Sequence, residues 1–155
     1  MSINGLPLHP LVVHAAVVFA PLAAVSAGLY ALVTRWRWLL RTPTAVIAVL
    51  AALATQVAAM TGDSLKETLG IDTSAVENHE MWAGRLQAAV WVLAAVAVVA
   101  WWVMPHETPV EGAEDREARV PALVTPVVVL LPVLAVAVLV LVVFTGDAGA
   151  RAVWG

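Results

Sequence analysis

The stretch LVVHAAVVFAPLAAVSAGLYALV, residues 11–33, decides the fold. It holds no Asp, Glu, Lys or Arg, and it is longer than the roughly 20 apolar residues that an α-helix needs to cross a hydrocarbon core. Three further runs are similarly apolar and close to that length or above it: Pro43–Thr61, Trp82–Val103 and Ala122–Thr145. The sequence therefore predicts an all-α, polytopic membrane protein with a bundle of four transmembrane helices.

The composition supports this class. Of 155 residues, 62% are hydrophobic and 12% are charged, whereas soluble domains carry about 25% charged residues, and the mean hydropathy is +0.92. The absence of cysteine excludes disulfides, thiolate metal sites and iron–sulfur clusters. A net charge of −3 without a basic patch argues against nucleic acid as a partner and leaves the lipid bilayer. The predicted helices cover residues 11–33, 43–61, 76–103 and 122–145 of one domain, residues 1–155.

The cations predict the orientation in the membrane. The loops 34–42 and 104–121 carry five arginines, whereas the loop 62–81 has only Lys66 against five acidic residues. By the positive-inside rule, the two arginine-bearing loops are cytoplasmic and both termini lie on the outer side of the cell inner (plasma) membrane. The first residues carry no positive charge, and the apolar run that follows is too long for a signal peptide. We expect that run to remain as the first helix.

The loops differ in character. The loop 104–121 is acidic and contains Pro and Gly, which predicts a flexible cytoplasmic connector with His106 in solvent. Ser74 and Glu77 match a capping box, in which two side chains satisfy the free amides at a helix start. The third helix is therefore expected to begin near Ser74, which places His79 on ordered backbone.

The chain also shows a faint internal repeat. Thr-Gly-Asp occurs at residues 61–63 and 145–147, where the second and fourth helices are expected to end on the outer side. His14 and His79 lie near the outer starts of the first and third helices. Two hairpins that each open with His and close with Thr-Gly-Asp would form a parallel repeat. The alternative is coincidence, since Gly commonly ends helices.

Three segments carry a resemblance to a known family. They are LPLHPLVVH at residues 6–14, the pair His79-Glu80, and GDAGARAVWG at residues 146–155. Together they resemble the bacterial membrane-protein family catalogued as domain of unknown function 2231, over essentially the whole chain. The resemblance implies a four-helix integral membrane protein and implies no reaction. Four-helix families that bind b-type haem through histidines on facing helices are broadly similar, which is a fold-level analogy.

Histidines near the outer surface are the candidate ligands. Haem b needs one or two axial imidazoles on facing helices, and His14 with His79 would supply them, while Arg85 or Arg151 would pair with a propionate. A transition-metal ion is the other option, since imidazole and carboxylate suit Zn, Cu or Fe. The candidate metal ligands are His9, His14, His79, Asp63 and Asp147.

The geometry of one helix limits the metal option. His9 and His14 are five residues apart and would point about 140° apart on a regular helix. We expect His9, which precedes Pro10, to lie outside the first helix, so that it can still turn toward His14.

A structural role is the competing hypothesis. The same His, Asp and Arg residues can form only an interhelical hydrogen-bond network in an accessory or structural subunit of a membrane complex, with another membrane protein or a second copy as the partner. No nucleophile elbow, zinc-protease motif or phosphate-binding loop is present. We therefore predict no catalytic residues and favour a protein that is not an enzyme. The inner half offers no polar path for transport.

Overall fold

The computed structural model describes residues 2–3 and 6–154. Two-residue strands, β1 (Ser2–Ile3) and β2 (Leu6–Pro7), pair antiparallel ahead of the helices. Four long helices follow, with a short 3₁₀-helix, Thr34–Trp36, between the first two. They are α1 (Leu8–Leu32), α2 (Arg37–Leu69), α3 (Ser74–Val103) and α4 (Pro121–Trp154).

The four helices form one bundle, and each is long and apolar enough to cross a membrane. This confirms the predicted all-α, four-helix fold. Each helix packs against the next along the chain, and α4 closes the ring on α1, so α1 and α3 lie diagonally opposite with few contacts. Alanine dominates the centre: Ala20, Ala24, Ala48 and Ala97 are fully buried. Such small side chains let helix backbones approach closely without a hydrophobic driving force between them.

The two ends of the bundle carry different polar residues. The histidine end carries His9, Asp63, His79 and Asp147. The arginine end carries the loops and helix termini with Arg35, Arg37, Arg41, Arg116 and Arg119. The sequence predicts that the histidine end faces outward, and this orientation stays a prediction.

The helices run past the predicted ends. The prediction that Thr-Gly-Asp closes α2 and α4 is wrong, because both triplets lie inside helices. The Thr61 hydroxyl bonds back to the Val57 carbonyl at 2.8 Å, as helical threonines do. Helix α2 instead ends at Gly70, whose φ of 62° is the left-handed conformation that Gly adopts without steric cost.

Of the two predictions about helix starts, one is wrong and the other is confirmed. Helix α1 begins at Leu8, so His9 lies inside it; Pro10 fits there because a first-turn residue needs no backbone N–H. The cap of α3 is Thr73, whose side chain accepts the Val76 N–H at 3.4 Å. Helix α3 thus begins at Ser74, as predicted, but the residue that caps it is Thr73 and not Ser74.

The connector between α3 and α4 is ordered, contrary to the prediction of a flexible loop. His106 and Arg116 exchange two backbone hydrogen bonds of 3.0 and 2.9 Å. The Asp115 carboxylate accepts the Thr108 N–H at 2.8 Å, and the Arg116 guanidinium donates to the Trp102 carbonyl. His106 is half-buried, and its Nδ1 is buried without a partner among the described residues. The expectation that His106 is solvated is wrong, because the loop folds over it.

The two hairpins, α1–α2 and α3–α4, bury the same pattern. Buried positions on α1 reappear seventy residues later on α3, and buried positions on α2 reappear 87 residues later on α4. On α1 and α3 these pairs are Ala20 and Val90, Ala23 and Leu93, Ala24 and Ala94, Ala27 and Ala97, Tyr30 and Ala100; on α2 and α4 they are Thr44 and Leu131, Ala48 and Ala135, Ala51 and Val138, Thr61 and Ala148.

This repeat differs from the one the sequence suggests. The two Thr-Gly-Asp triplets are 84 residues apart, and a shift of three residues turns a helix by about 300°. Equating the triplets would match buried Ala48 with half-buried Pro132 and buried Ala52 with exposed Val136. The hairpin repeat holds, but the triplets are not its equivalent positions.

Candidate functional site

His9 is held against α2 from the first turn of α1. Its Nδ1 lies 3.0 Å from the Ala58 carbonyl oxygen and 3.3 Å from Thr61 Oγ1. Because a carbonyl can only accept, Nδ1 carries the proton and donates it. The ring edge rests on Gly62, where a Cβ atom would lie 3.2 Å from His9 Cε1. A side chain at position 62 would displace the ring.

His79 is held against α4 in the same way. Its Nδ1 lies 3.1 Å from the Thr145 carbonyl oxygen, and a Cβ atom at Gly149 would lie 3.0 Å from its Cε1. In both hairpins the accepting carbonyl precedes the glycine by four residues, one helical turn. His9 and His79 are seventy residues apart, and Gly62 and Gly149 are 87 apart. The two contacts therefore follow the same repeat as the core.

The hydrogen bonds fix which ring nitrogen remains available. A neutral imidazole whose Nδ1 donates to a carbonyl has an unprotonated Nε2 with a free lone pair. Within residues 6–154, no hydrogen bond reaches the Nε2 of His9 or His79. Metal-binding histidines commonly have one nitrogen bonded to a carbonyl, which orients the ring and leaves the other as ligand.

The protonation of His9 depends on its burial and on the charges around it. His9 precedes the apolar span that begins at Leu11. Burial lowers the pKa of His9 below its ordinary value of 6.5, and the bond to the Ala58 carbonyl partly opposes this. The charge of His79 lowers the His9 pKa further, and Asp63 raises it. His9 is therefore mainly neutral at neutral pH, and both His79 and Asp63 lie within electrostatic reach.

The other predicted residues are distributed around this end. His14 is exposed and lies about 140° around α1 from His9. The Arg151 Nε pairs with Asp147 at 3.0 Å, one turn away on α4. The Arg85 guanidinium lies 4.6 Å from the Trp82 ring centre. His79 and Asp63 thus influence the His9 pKa, whereas His14 lies on a different face of α1 from His9.

The metal hypothesis finds no ready-made site. Among residues 6–154, no three His, Asp or Glu side chains are grouped so that they could hold a metal ion. The five-residue ligand set stays a prediction.

Sequence reasoning missed the two glycines that receive the rings. An interior Gly costs a helix about 1 kcal/mol relative to Ala, and such a cost inside a long helix is a signal of close approach. Gly62 and Gly149 carried that signal. The Thr-Gly-Asp match pointed to the wrong glycine, because it paired Gly62 with Gly146. At Gly146 a Cβ atom would meet nothing within 4 Å.

Four apolar helices with a polar histidine end define a polytopic helical membrane protein. The family described as "Predicted membrane protein (DUF2231)" matches residues 5–155, and the chain belongs to this family. The resemblance in the sequence is confirmed. No curated protein and no solved structure matches the chain significantly.

Proposed function

We propose that the histidine end binds b-type haem, with His9 and His79 as its two axial ligands. One observation carries this proposal: both rings donate Nδ1–H to a carbonyl on the neighbouring helix and keep Nε2 available. The site would face outward in the bacterial inner membrane. His9 replaces the His14 of the sequence hypothesis, because His14 is exposed and points elsewhere.

Haem fits two histidines better than a free ion does. Its porphyrin supplies four iron ligands, so two protein imidazoles complete the coordination. Protein sites for zinc use three or four protein ligands, and residues 6–154 contain no group of three candidates. A neutral His9 suits ligation, because an imidazolium has no lone pair for a metal.

The surrounding residues have supporting roles in this proposal. Gly62 lets the His9 ring lie close to α2, and Gly149 lets the His79 ring lie close to α4. This close packing fixes the direction of each Nε2. Arg85 and Arg151 are the candidate partners of the propionates. Arg85 is the better placed of the two, because Asp147 already pairs with Arg151.

An absorption spectrum tests the proposal. The protein is produced with haem supplementation, purified in mild detergent and measured between about 380 and 600 nm. We expect a Soret band with the sharp reduced bands of two axial imidazoles, which His9→Ala and His79→Ala each abolish. The matched controls His14→Ala and His106→Ala keep the spectrum. A wild-type protein without a Soret band after reconstitution contradicts the proposal.

The orientation needs its own measurement. The chain has no cysteine, so a Glu114→Cys variant carries a single thiol on the connector of the arginine end. In intact cells an impermeant thiol reagent should leave it unlabelled until the membrane is opened. Labelling from outside would place the histidine end in the cytoplasm.

A structural role is the second candidate, favoured by the same hydrogen bonds. The rings tie α1 to α2 and α3 to α4, so they can serve an accessory subunit without any ligand. In that case His9→Ala and His79→Ala lower stability, and no variant changes a spectrum.

A further inference from the structure

A polar cluster joins α2 and α3 within the apolar part of the bundle. The Gln87 amide donates to Gln56 Oε1 at 2.7 Å, and the Trp91 indole N–H donates to the same oxygen at 3.3 Å. An indole N–H can only donate, so the side of the Gln56 amide that faces Trp91 is its oxygen. The amide orientation is thereby fixed by chemistry.

The cluster lies between the two membrane interfaces, closer to the histidine end. Tryptophans concentrate at both membrane interfaces, and Trp82 and Trp101 are 19 residues apart on α3. This length of helix is about 28 Å, close to the thickness of a hydrocarbon core. Trp91 lies nine residues from Trp82 and is 42% exposed. Gln56 and Gln87 are half-buried, so the cluster lies at the edge of the bundle, where it meets lipid.

Two polar groups of this cluster have no partner within the described chain. The Gln56 amide nitrogen keeps both of its N–H donors, and the Gln87 carbonyl oxygen keeps its lone pairs. Lipid hydrocarbon offers no hydrogen bonds, so unsatisfied amide groups are costly there. One of these groups is a donor on α2 and the other is an acceptor on α3.

The repeat supplies a matched face without this cluster. The position equivalent to Gln56 on α4 is Val143, and the position equivalent to Gln87 on α1 is Val17. These valines are 69% and 55% exposed and suit lipid. Only one of the two equivalent faces carries amides, so the fold itself does not require them.

We propose that the α2–α3 face binds a second copy of this chain around a two-fold axis along the membrane normal. In a two-fold interface each residue meets its counterpart reciprocally. The Gln56 N–H donates to the partner's Gln87, and the partner's Gln56 donates back to Gln87. The surface around Gln56 and Gln87 is thus complementary to itself. A second copy supplies the missing acceptor for Gln56 and the missing donor for Gln87. This pairing is independent of any haem.

Energy transfer between labelled chains in liposomes tests the pairing. Chains labelled at Glu114→Cys with donor or acceptor are diluted into lipid, and the apparent dissociation constant is read from the loss of transfer. The Gln56→Leu/Gln87→Leu variant should raise this constant about tenfold or more, because both reciprocal bonds are lost. The matched Val17→Leu/Val143→Leu variant should leave it unchanged. Helical circular dichroism verifies that each variant is folded.

Disulfide formation gives a second readout. Leu53 lies one turn before Gln56 and is 49% exposed, and Val140 is its equivalent on α4 at 47%. In native membranes Leu53→Cys should oxidise to a covalent homodimer much faster than Val140→Cys. A monomer at all lipid dilutions, a dimer insensitive to the glutamine variant, or cross-linking only to another protein each overturns the proposal.

Discussion

The two hairpins share a skeleton but differ in where they place threonine. Thr61 directly precedes Gly62, and its hydroxyl is bonded to the helix and within reach of His9. Thr145 instead supplies the carbonyl that holds His79, four residues before Gly149. Its hydroxyl is buried without a partner in the described chain. The difference shows that the contact between a histidine ring and a glycine marks the equivalent positions of the two hairpins, and that the Thr-Gly-Asp triplet does not.

Glycine substitutions should give the largest effect. A Cβ atom at Gly149 would lie 3.0 Å from Cε1 and 3.1 Å from Nδ1 of His79. The ring must shift by a few tenths of an ångström and strain its bond to the Thr145 carbonyl, so Gly149→Ala should cost about 1–3 kcal/mol of stability, as overpacking does. Detergent-induced unfolding followed by circular dichroism measures it.

The matched controls for this substitution also test the repeat. Gly62→Ala should destabilise less, because its Cβ would lie 3.2 Å from His9. Gly146→Ala meets nothing within 4 Å and should be neutral or stabilising by up to about 1 kcal/mol. If Gly146→Ala destabilised as Gly62→Ala does, the equivalence of the triplets would be restored.

Removal of the rings should have the next largest effect. His9→Ala and His79→Ala each lose one interhelical hydrogen bond, worth about 0.6 to 2 kcal/mol in membranes. Equal costs in the two hairpins would match their equal geometry, and unfolding in the same detergent series compares them. Clearly unequal costs for the two substitutions would contradict the assignment of the repeat to His9.

Acid should weaken the first hairpin through His9. Its folded pKa is below 6.5, because of burial and then the charge of His79, with Asp63 opposing. As the pH falls, the unfolded chain therefore binds a proton at His9 before the folded chain does. The contribution of neutral His9 to the free energy of unfolding is complete above about pH 6.5 and is lost as the pH falls below that value. Unfolding measured from about pH 8 to 5 should show a steeper loss in wild type than in His9→Gln. Identical pH profiles would contradict it.

The smallest effect is expected at the exposed pair on α4. Arg151 and Asp147 are one turn apart and mostly exposed, and such pairs contribute about 0.3 to 0.5 kcal/mol. Arg151→Ala should change stability by no more than this in the haem-free protein. A larger loss that appears only after haem loading would indicate a propionate contact.

The fold was predictable because membrane spans are long and their signal is composition. Runs such as residues 11–33 need only enough apolar length to cross the bilayer. Helix ends were not predictable from the rule that Gly stops a helix. Gly62 lies inside α2, and its missing side chain leaves room for the ring of His9. The ordered connector was missed because its bonds, such as that of Arg116 to Trp102, join residues from different elements.

The candidate site was predictable in its depth but not in its partners. The sequence placed polar residues at one end and singled out His79. It named His14 with His79 for haem and included His9 only among the candidate metal ligands. Only the packing against α2 distinguishes the two, since it depends on a contact forty-nine residues away along the chain.

Tyr30 and Ala100 occupy equivalent positions and meet across the bundle, where the Tyr30 hydroxyl donates to the Ala100 carbonyl at 3.2 Å. An assembly of two identical hairpins would set tyrosine against tyrosine or alanine against alanine at this place, giving either a clash or a void. Joining both hairpins in one polypeptide removes that restriction, because the residues at equivalent positions of the two hairpins can then differ. At this position the two halves are complementary because they differ.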